Sequence, residues 1–244
     1  MPTKSATAIV TGGAKRVGRA IAEALLADGW TVIAHAHHDE DDVPAGAIRV
    51  AADLSDEACH RRIFKAAEGA APVSLLVNNA ARFAPDSLGH FETGELAAHM
   101  AVNLRAPILL TEALAAQHAG GDALVVNLLD AKLAAPNSDF LSYTLSKQAL
   151  AGFTELAARA LAGRGIRVNG IAPALMLRSP GQDDENFAVT HSFNPLGRGV
   201  EPADVVAALR FLLAAETVTG QVLTIDGGQR FWALPRDVQF LEQA

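Results

Sequence analysis

The chain has a single cysteine, Cys59, few aromatic residues and no excess of basic ones. One cysteine excludes an intrachain disulfide and gives no support to a cysteine metal cluster, so no metal is expected. Cys59 lies in a charged, helix-like stretch, DEACHRR, and reads as a structural thiol. With aromatics at 5% and hydrophobic residues at 50%, the core must be largely aliphatic. Net charge is −7, from 20 basic and 27 acidic residues. That balance argues against a nucleic-acid or anionic-membrane binder, which would show basic clusters. No apolar run approaches the roughly 20 residues of a membrane span. The opening MPTKSATAIVTGG has no long apolar stretch after its lysine, so it does not read as a secretory signal. A cytoplasmic protein is expected.

What is present is alternation. Short apolar runs at 6–10, 31–36, 48–54, 74–80, 122–130, 166–174 and 221–228 read as strands. Segments with helical spacing lie between them: 19–29, which ends at Gly29, then 61–70, 93–119 with a break near Pro107, and 142–163. Nearly continuous apolar strands alternating with helices imply a parallel sheet covered on both faces. The expected fold is therefore α/β: one domain over 1–244, with a doubly wound, seven-stranded parallel sheet. No linker or repeat divides it. One long irregular stretch remains, residues 175–198. A loop of that length is usually functional, such as a substrate lid; the alternative is a surface insertion.

The first strand runs into TGGAKRVG, Thr11 to Gly18, which opens a helix. Backbone N–H groups of such a turn, with the helix N-terminus, bind phosphates. At the tip of the second strand stands Ala36, followed by His37 and His38. A carboxylate there would hold a ribose 2′-hydroxyl and repel a 2′-phosphate. Its absence, with Lys15 nearby, favours NADP(H) over NAD(H). The histidines are either part of that phosphate site or solvated turn residues. Asp53 ends the third strand, within reach of an adenine amino group. Tyr143 and Lys147, four apart, share one helix face. An ammonium beside a phenol lowers its pKa and makes it a usable proton donor.

TGxxxxxG after the first strand, NNA after the fourth and YxxxK after the fifth resemble the short-chain dehydrogenase/reductase family across nearly the whole chain. The resemblance implies a Rossmann domain in which Asn103 holds a water connecting to Lys147. Thr219 and Gly220 match the family's TG. Two departures are informative. The usual serine, thirteen positions before the tyrosine, is Asp130, and the turn carries Arg16 in place of its middle glycine. Together with AKR, NNAARFAP, LLDA, AP-x-L-x-L at 172–177 and the terminal DGG, they resemble pteridine reductases and the bacterial dihydromonapterin and dihydrofolate reductases.

That subgroup implies NADPH-dependent reduction of a dihydropterin or related pteridine, with a Tyr143–Lys147–Asp130 proton relay. The implied cofactor residues are Gly12, Lys15, Arg16, Val17, Gly18, His37, His38, Asp53, Leu54, Asn79, Ala80, Tyr143, Lys147 and Pro173. The implied substrate residues are Arg16, Phe83, Asp130, Tyr143 and Leu177. Arg16 would reach over the pyrophosphate to the O4 edge of the pterin, and Phe83 would stack on the ring. Otherwise Phe83 is core packing. Ala81 stands where a serine is common, Ala174 where many relatives have glycine, and Arg82 has no assigned role. The alternatives are an NADPH-dependent carbonyl reductase, of 3-oxoacyl or other ketones, and a non-catalytic NADP(H)-binding protein. Long apolar helices suggest a homotetramer.

Overall fold

A computed structural model describes residues 6–178 and 182–240. Seven parallel strands form one sheet: β1 (Thr7–Val10), β2 (Thr31–Ala36), β3 (Ile48–Ala51), β4 (Val73–Asn78), β5 (Ala123–Leu128), β6 (Ile166–Pro173) and β7 (Val222–Ile225). Their order is β3-β2-β1-β4-β5-β6-β7. Each strand alternates its side chains between two cores. Ile9, Leu76 and Val125 face one; Ala8, Val10, Leu75, Val77, Leu124 and Val126 face the other. The first core is covered by α2 (Cys59–Lys65), α4 (Ala106–Gln117) and α5 (Leu141–Leu161), through Ile63, Leu110, Leu114 and Ala157. The second is covered by α1 (Arg16–Ala27) and α7 (Pro202–Ala214), through Ile21, Leu25, Val205 and Leu209. Cys59 is buried in the first, as a structural thiol should be.

The expected seven strands are all present, but most end earlier than their apolar runs. Asp53, Leu54, Asn79 and Ala80 lie in loops beyond β3 and β4. An apolar run continues past a strand wherever the following loop folds back over the core, as buried Leu54 does. Helix α1 stops where expected. Gly29 has a φ of +86°, and the Gly29 and Trp30 N–H groups return to the Leu26 and Leu25 carbonyls, a C-terminal cap that favours glycine. The expected 93–119 helix is two helices, α3 (Thr93–Met100) and α4, joined by a π-helical turn at Ala101–Arg105. The break precedes Pro107 because proline has no N–H to offer the Asn103 carbonyl. Within 175–198, expected to be irregular, Asp184–His191 forms α6, capped by the Asp183 side chain on the Asn186 N–H. Residues 179–181 of that stretch lie outside the described residues.

This topology reverses strand order between β1 and β4. Ligands of open parallel sheets bind at the C-terminal strand ends beside such a switch. The glycine turn and the 79–83 segment meet there.

Candidate active site

The turn between β1 and α1 is braced from β4. Thr11 Oγ1 accepts from the Asn79 and Ala80 N–H groups at 2.9 and 3.0 Å, and Asn79 Nδ2 donates to the Thr11 carbonyl at 2.8 Å. The Asn79 carboxamide and the Ala80 N–H therefore hold the turn itself. Gly12 has a φ of +65°. A Cβ on Gly18 would overlap the Gly12 carbonyl oxygen. Val17 packs on the core behind the turn. Helix α1 begins with no capping side chain and no acidic residue in its first turn. Its first N–H groups have no intrahelical acceptor, so this terminus fits an anionic group.

Arg16 departs from glycine at a position whose φ is +52°. Its guanidinium donates to the Arg178 and Leu177 carbonyls at 3.0 and 3.2 Å. It thus ties the turn to the segment after β6. Leu177, expected at the pocket, supplies that carbonyl, while Ala174 and Leu175 form the nearby cavity wall. Pro173 ends β6, paired in register with Ile225.

At the β2 tip, Ala36 is buried and His37 and His38 are exposed, edge to face at 4.2 Å. Lys15, expected near a 2′-phosphate, has its ammonium paired with Asp41 at 2.5 Å. That contact, with a hydrogen bond from the His38 N–H, holds the Asp41 carboxyl below its usual range. Asp53 Oδ1 accepts from the Ser55 N–H at 2.8 Å, which lowers its pKa.

Tyr143 and Lys147 lie on one face of α5. Tyr143 Oη donates to Asp130 Oδ2 at 2.8 Å, and Asp130 Oδ1 accepts from the Lys132 N–H at 2.9 Å. The Lys147 ammonium donates to the Leu128 carbonyl at 2.6 Å and lies 5.8 Å from the Tyr143 ring centroid. The expectation that Lys147 lowers the phenol pKa is corrected here. Burial and the Asp130 carboxylate push Tyr143 well above its ordinary value. Burial raises the Asp130 carboxyl as well and lowers Lys147 to about 8. The phenol is therefore a protonated donor at neutral pH.

Asn103 sits in the π-helical turn. Its Oδ1 accepts from the Arg82 N–H at 2.7 Å, and its Nδ2 donates to the Arg82 carbonyl at 3.0 Å and to Ser146 Oγ at 2.9 Å. The recorded contacts reach Ser146, one residue before Lys147, rather than Lys147 itself. Phe83 stacks on Phe140, with centroids 4.3 Å apart, and stands edge-on to Tyr143 at 4.8 Å. It is 37% exposed and lines a cavity of about 130 Å³ with Asp130, so it is not simple core packing.

The family model described as Enoyl-(Acyl carrier protein) reductase matches residues 12–230. The chain belongs to the short-chain dehydrogenase/reductase family. It is similar to Pteridine reductase 1 of Leishmania tarentolae, 33% identical over 91% of this chain and 95% of the relative. It is also similar to a Synechocystis 3-oxoacyl-[acyl-carrier-protein] reductase, 29% identical over 91% and 95%. A crystal structure of FolM Alternative dihydrofolate reductase 1 from Brucella canis, complexed with NADP, superposes with a TM-score of 0.88. It is 36% identical over 93% of this chain and 94% of that one. The Leishmania and Brucella relatives support the pteridine reductase-like subgroup.

As a short-chain dehydrogenase/reductase, the chain is an NAD(P)-dependent oxidoreductase. Some residues of its site were not foreseen. His35 on β2 is buried; its Nδ1 accepts from the Gly12 N–H at 3.0 Å and its Nε2 lies 2.9 Å from the Ala52 carbonyl. A histidine inside an apolar strand was the available signal. Arg82, without a role in sequence, pairs with Glu95 at 2.6 Å. The Asp86 carboxylate accepts from the Ser142 N–H at 2.9 Å and so caps the helix that carries Tyr143. Among the described residues no cluster suited to a metal occurs, and no helix is long and apolar enough to cross a membrane.

Proposed function

We propose that the protein reduces a dihydropterin or a related pteridine or folate with NADPH. The carrying observation is that Phe83 and Asp130 line one cavity, with Tyr143 hydrogen-bonded to Asp130 and edge-on to Phe83. Phe83 offers a partly exposed ring to a flat heterocycle. Asp130 offers acceptor oxygens to an N–H edge, where the family's usual serine would serve a ketone. NADPH, when bound, supplies the hydride that adds to a C=N carbon. Tyr143 holds the proton at Oη, and its bond to Asp130 aims it. Lys147, anchored on the Leu128 carbonyl, would hold the ribose end of the cofactor. Asn103 fixes the 82–83 backbone and hence the Phe83 ring.

For the cofactor, the uncapped α1 terminus with Gly12, Arg16, Val17 and Gly18 fits a pyrophosphate. Asp53, Leu54, Asn79, Ala80 and Pro173, at the C-terminal ends of β3, β4 and β6, would line the rest of the cofactor site. Absence of a carboxylate at Ala36 supports a 2′-phosphate, and the Brucella relative is an NADP complex. Lys15, His37 and His38 would receive that phosphate, with Lys15 leaving Asp41. Residues 175–198, tied to the turn by Arg16, serve as the substrate loop, with Leu177 near the substrate. Exposed apolar residues on α5 and α7, Leu156 at 68% and Phe211 at 52%, support assembly as a homotetramer.

A second reading, reduction of a 3-oxoacyl thioester or other ketone, is favoured by the Synechocystis relative. An ionised Asp130 counts against it, because it would repel a developing oxyanion. NADPH oxidation against dihydropterins, dihydrofolate, an acetoacetyl thioester and simple ketones decides between them. Turnover of ketones alone would overturn the pterin reading. Turnover of none, with NADPH bound, would favour a non-catalytic role.

A further inference from the structure

The last described stretch of the chain returns to the cavity. A 3-10 turn at Gln229–Trp232 leads through Ala233, φ +46°, to a second at Val238–Phe240. Arg236, Asp237 and Val238 line the same cavity as Asp130 and Phe83. Asp139 anchors this segment. Its carboxylate accepts from Arg236 Nε at 2.8 Å and from the Asp237 N–H at 2.7 Å. Phe240 stacks on Phe140, with centroids 5.6 Å apart and planes 10° apart. The Asp237 carboxylate is thereby brought to the cavity wall, where its Oδ2 lies 3.4 Å from the Lys132 ammonium. The same Lys132 donates its backbone N–H to Asp130 and its ammonium to the Asp139 carbonyl. One lysine links the two carboxylates, and one cavity holds both.

We infer that Asp237 is a positioning residue of the proton relay: docked by Asp139 and Lys132, its carboxylate keeps the proton on the Asp130–Tyr143 pair. A negative charge across a small cavity disfavours a second ionisation. Asp237 adds to the burial that raises the Asp130 carboxyl. It also adds to the burial and the Asp130 charge that raise the Tyr143 phenol. The other charges facing the pair are Lys147 from α5 and Lys132 from the 131–134 turn. Arg236 is matched by Asp139 and Arg230 by Asp226, so the charge the tail brings to the pair is that of Asp237, partly offset by the Lys132 ammonium at 3.4 Å. The inference rests on Tyr143 as the proton donor, not on which substrate is reduced.

Tyr143 is the only tyrosine in the chain, so tyrosinate absorbance reports this phenol without any substrate. The wild type, Asp237→Asn, Asp237→Ser and Asp237→Glu would be titrated, with circular dichroism restricting comparison to pH values where each is folded. At equal pH in the alkaline range, Asp237→Asn and Asp237→Ser are expected to show a larger ionised fraction than wild type. Asp237→Glu is expected to restore the wild-type curve. The alkaline limb of kcat, measured with whichever substrate is turned over, should move to lower pH in the same two variants. NADPH affinity should stay unchanged. Asp139→Asn, which releases the segment, should move both readouts in the same direction. Coincident titrations and limbs for wild type and Asp237→Asn would overturn the inference. So would a shift confined to Asp139→Asn, which would make the tail's shape, not its charge, the relevant property. If pterins are not substrates but the titration shifts, the pterin reading fails and this inference stands.

Discussion

Replacing Arg16 with glycine separates what this residue does for the fold from what it does for the site. Arg16 holds a φ of +52°, in a region that costs a residue with a Cβ about 1–2 kcal/mol. Glycine removes that cost but returns about 0.4–1 kcal/mol through unfolded-chain entropy. The two hydrogen bonds to the Leu177 and Arg178 carbonyls are exposed, so together they contribute at the low end, about 1 kcal/mol. The terms nearly cancel, and the net change should stay within about 1 kcal/mol. For a chain of this length that moves Tm by no more than about 2–4 °C. The proposed function demands a different response. A charge-assisted partner of the heterocycle is lost, worth about 1.5–3 kcal/mol, or about 10- to 150-fold in kcat/KM for the pterin. KM for NADPH should rise by less, because the backbone N–H groups of the turn remain. Thermal unfolding and steady-state kinetics with each substrate varied would measure both. A Tm lowered by more than about 8 °C with unchanged kinetics would refute this reasoning and make Arg16 a clamp for the loop.

Tyr143→Phe keeps the ring against Phe83 and removes the donor, so kcat should fall by about 100-fold or more with NADPH binding intact. Near wild-type kcat would remove Tyr143 from the proton relay. Phe83→Ala should raise pterin KM by about 5-fold or more, since lost stacking costs on the order of 1 kcal/mol, and leave KM for NADPH alone. An equal rise in both would mean that Phe83 only shapes the backbone. Lys147 has a pKa of about 8 when folded, against about 10.4 in an unfolded chain. Between those values the unfolded chain binds more protons, so this group makes the folded state more stable as pH rises. Lys147→Met lacks that dependence. The stability of wild type minus that of Lys147→Met should therefore increase by on the order of 2 kcal/mol from pH 8 to pH 10. A flat difference in urea unfolding at those two pH values would contradict a depressed lysine.

The sheet could be read from sequence because both faces of every central strand are buried, so its apolar runs are nearly continuous. Strand ends could not, since buried loop residues such as Leu54 continue the apolar pattern beyond the hydrogen-bonded ladder. Tyr143, Lys147 and Asp130 were foreseen as a group, and two of them are joined directly. The sign of the Tyr143 shift was not. Helix spacing puts the ammonium on the right face, but only the three-dimensional structure shows it bound to the Leu128 carbonyl while Asp130 accepts the phenol's hydrogen bond. Long-range partners were likewise hidden. Asp41 on Lys15, Glu95 on Arg82 and Asp139 on Arg236 are ordinary surface charges in a sequence, and only chain folding pairs them.

Backbone strain offers an independent check on where the site lies. Among the described residues, three non-glycine positions have a positive φ: Arg16, Phe140 and Ala233. Phe140 and Ala233 adjoin the cavity, and Arg16 stands in the glycine turn that opens α1. Arg16 ties the glycine turn to the Leu177–Arg178 carbonyls, Phe140 stacks between Phe83 and Phe240, and Ala233 precedes Leu234 on the cavity wall. Each conformation is costly for a residue with a Cβ, and glycine would relieve it. The positions instead carry a guanidinium, an aromatic ring and the hinge of the C-terminal segment. Strain that glycine would relieve is retained where a side chain is needed, which is consistent with a proposed binding role at these positions. Glycine at Phe140 would relieve strain as at Arg16 but would remove the ring that supports Phe83 and Phe240. The cavity wall and the docking of the tail would then weaken together.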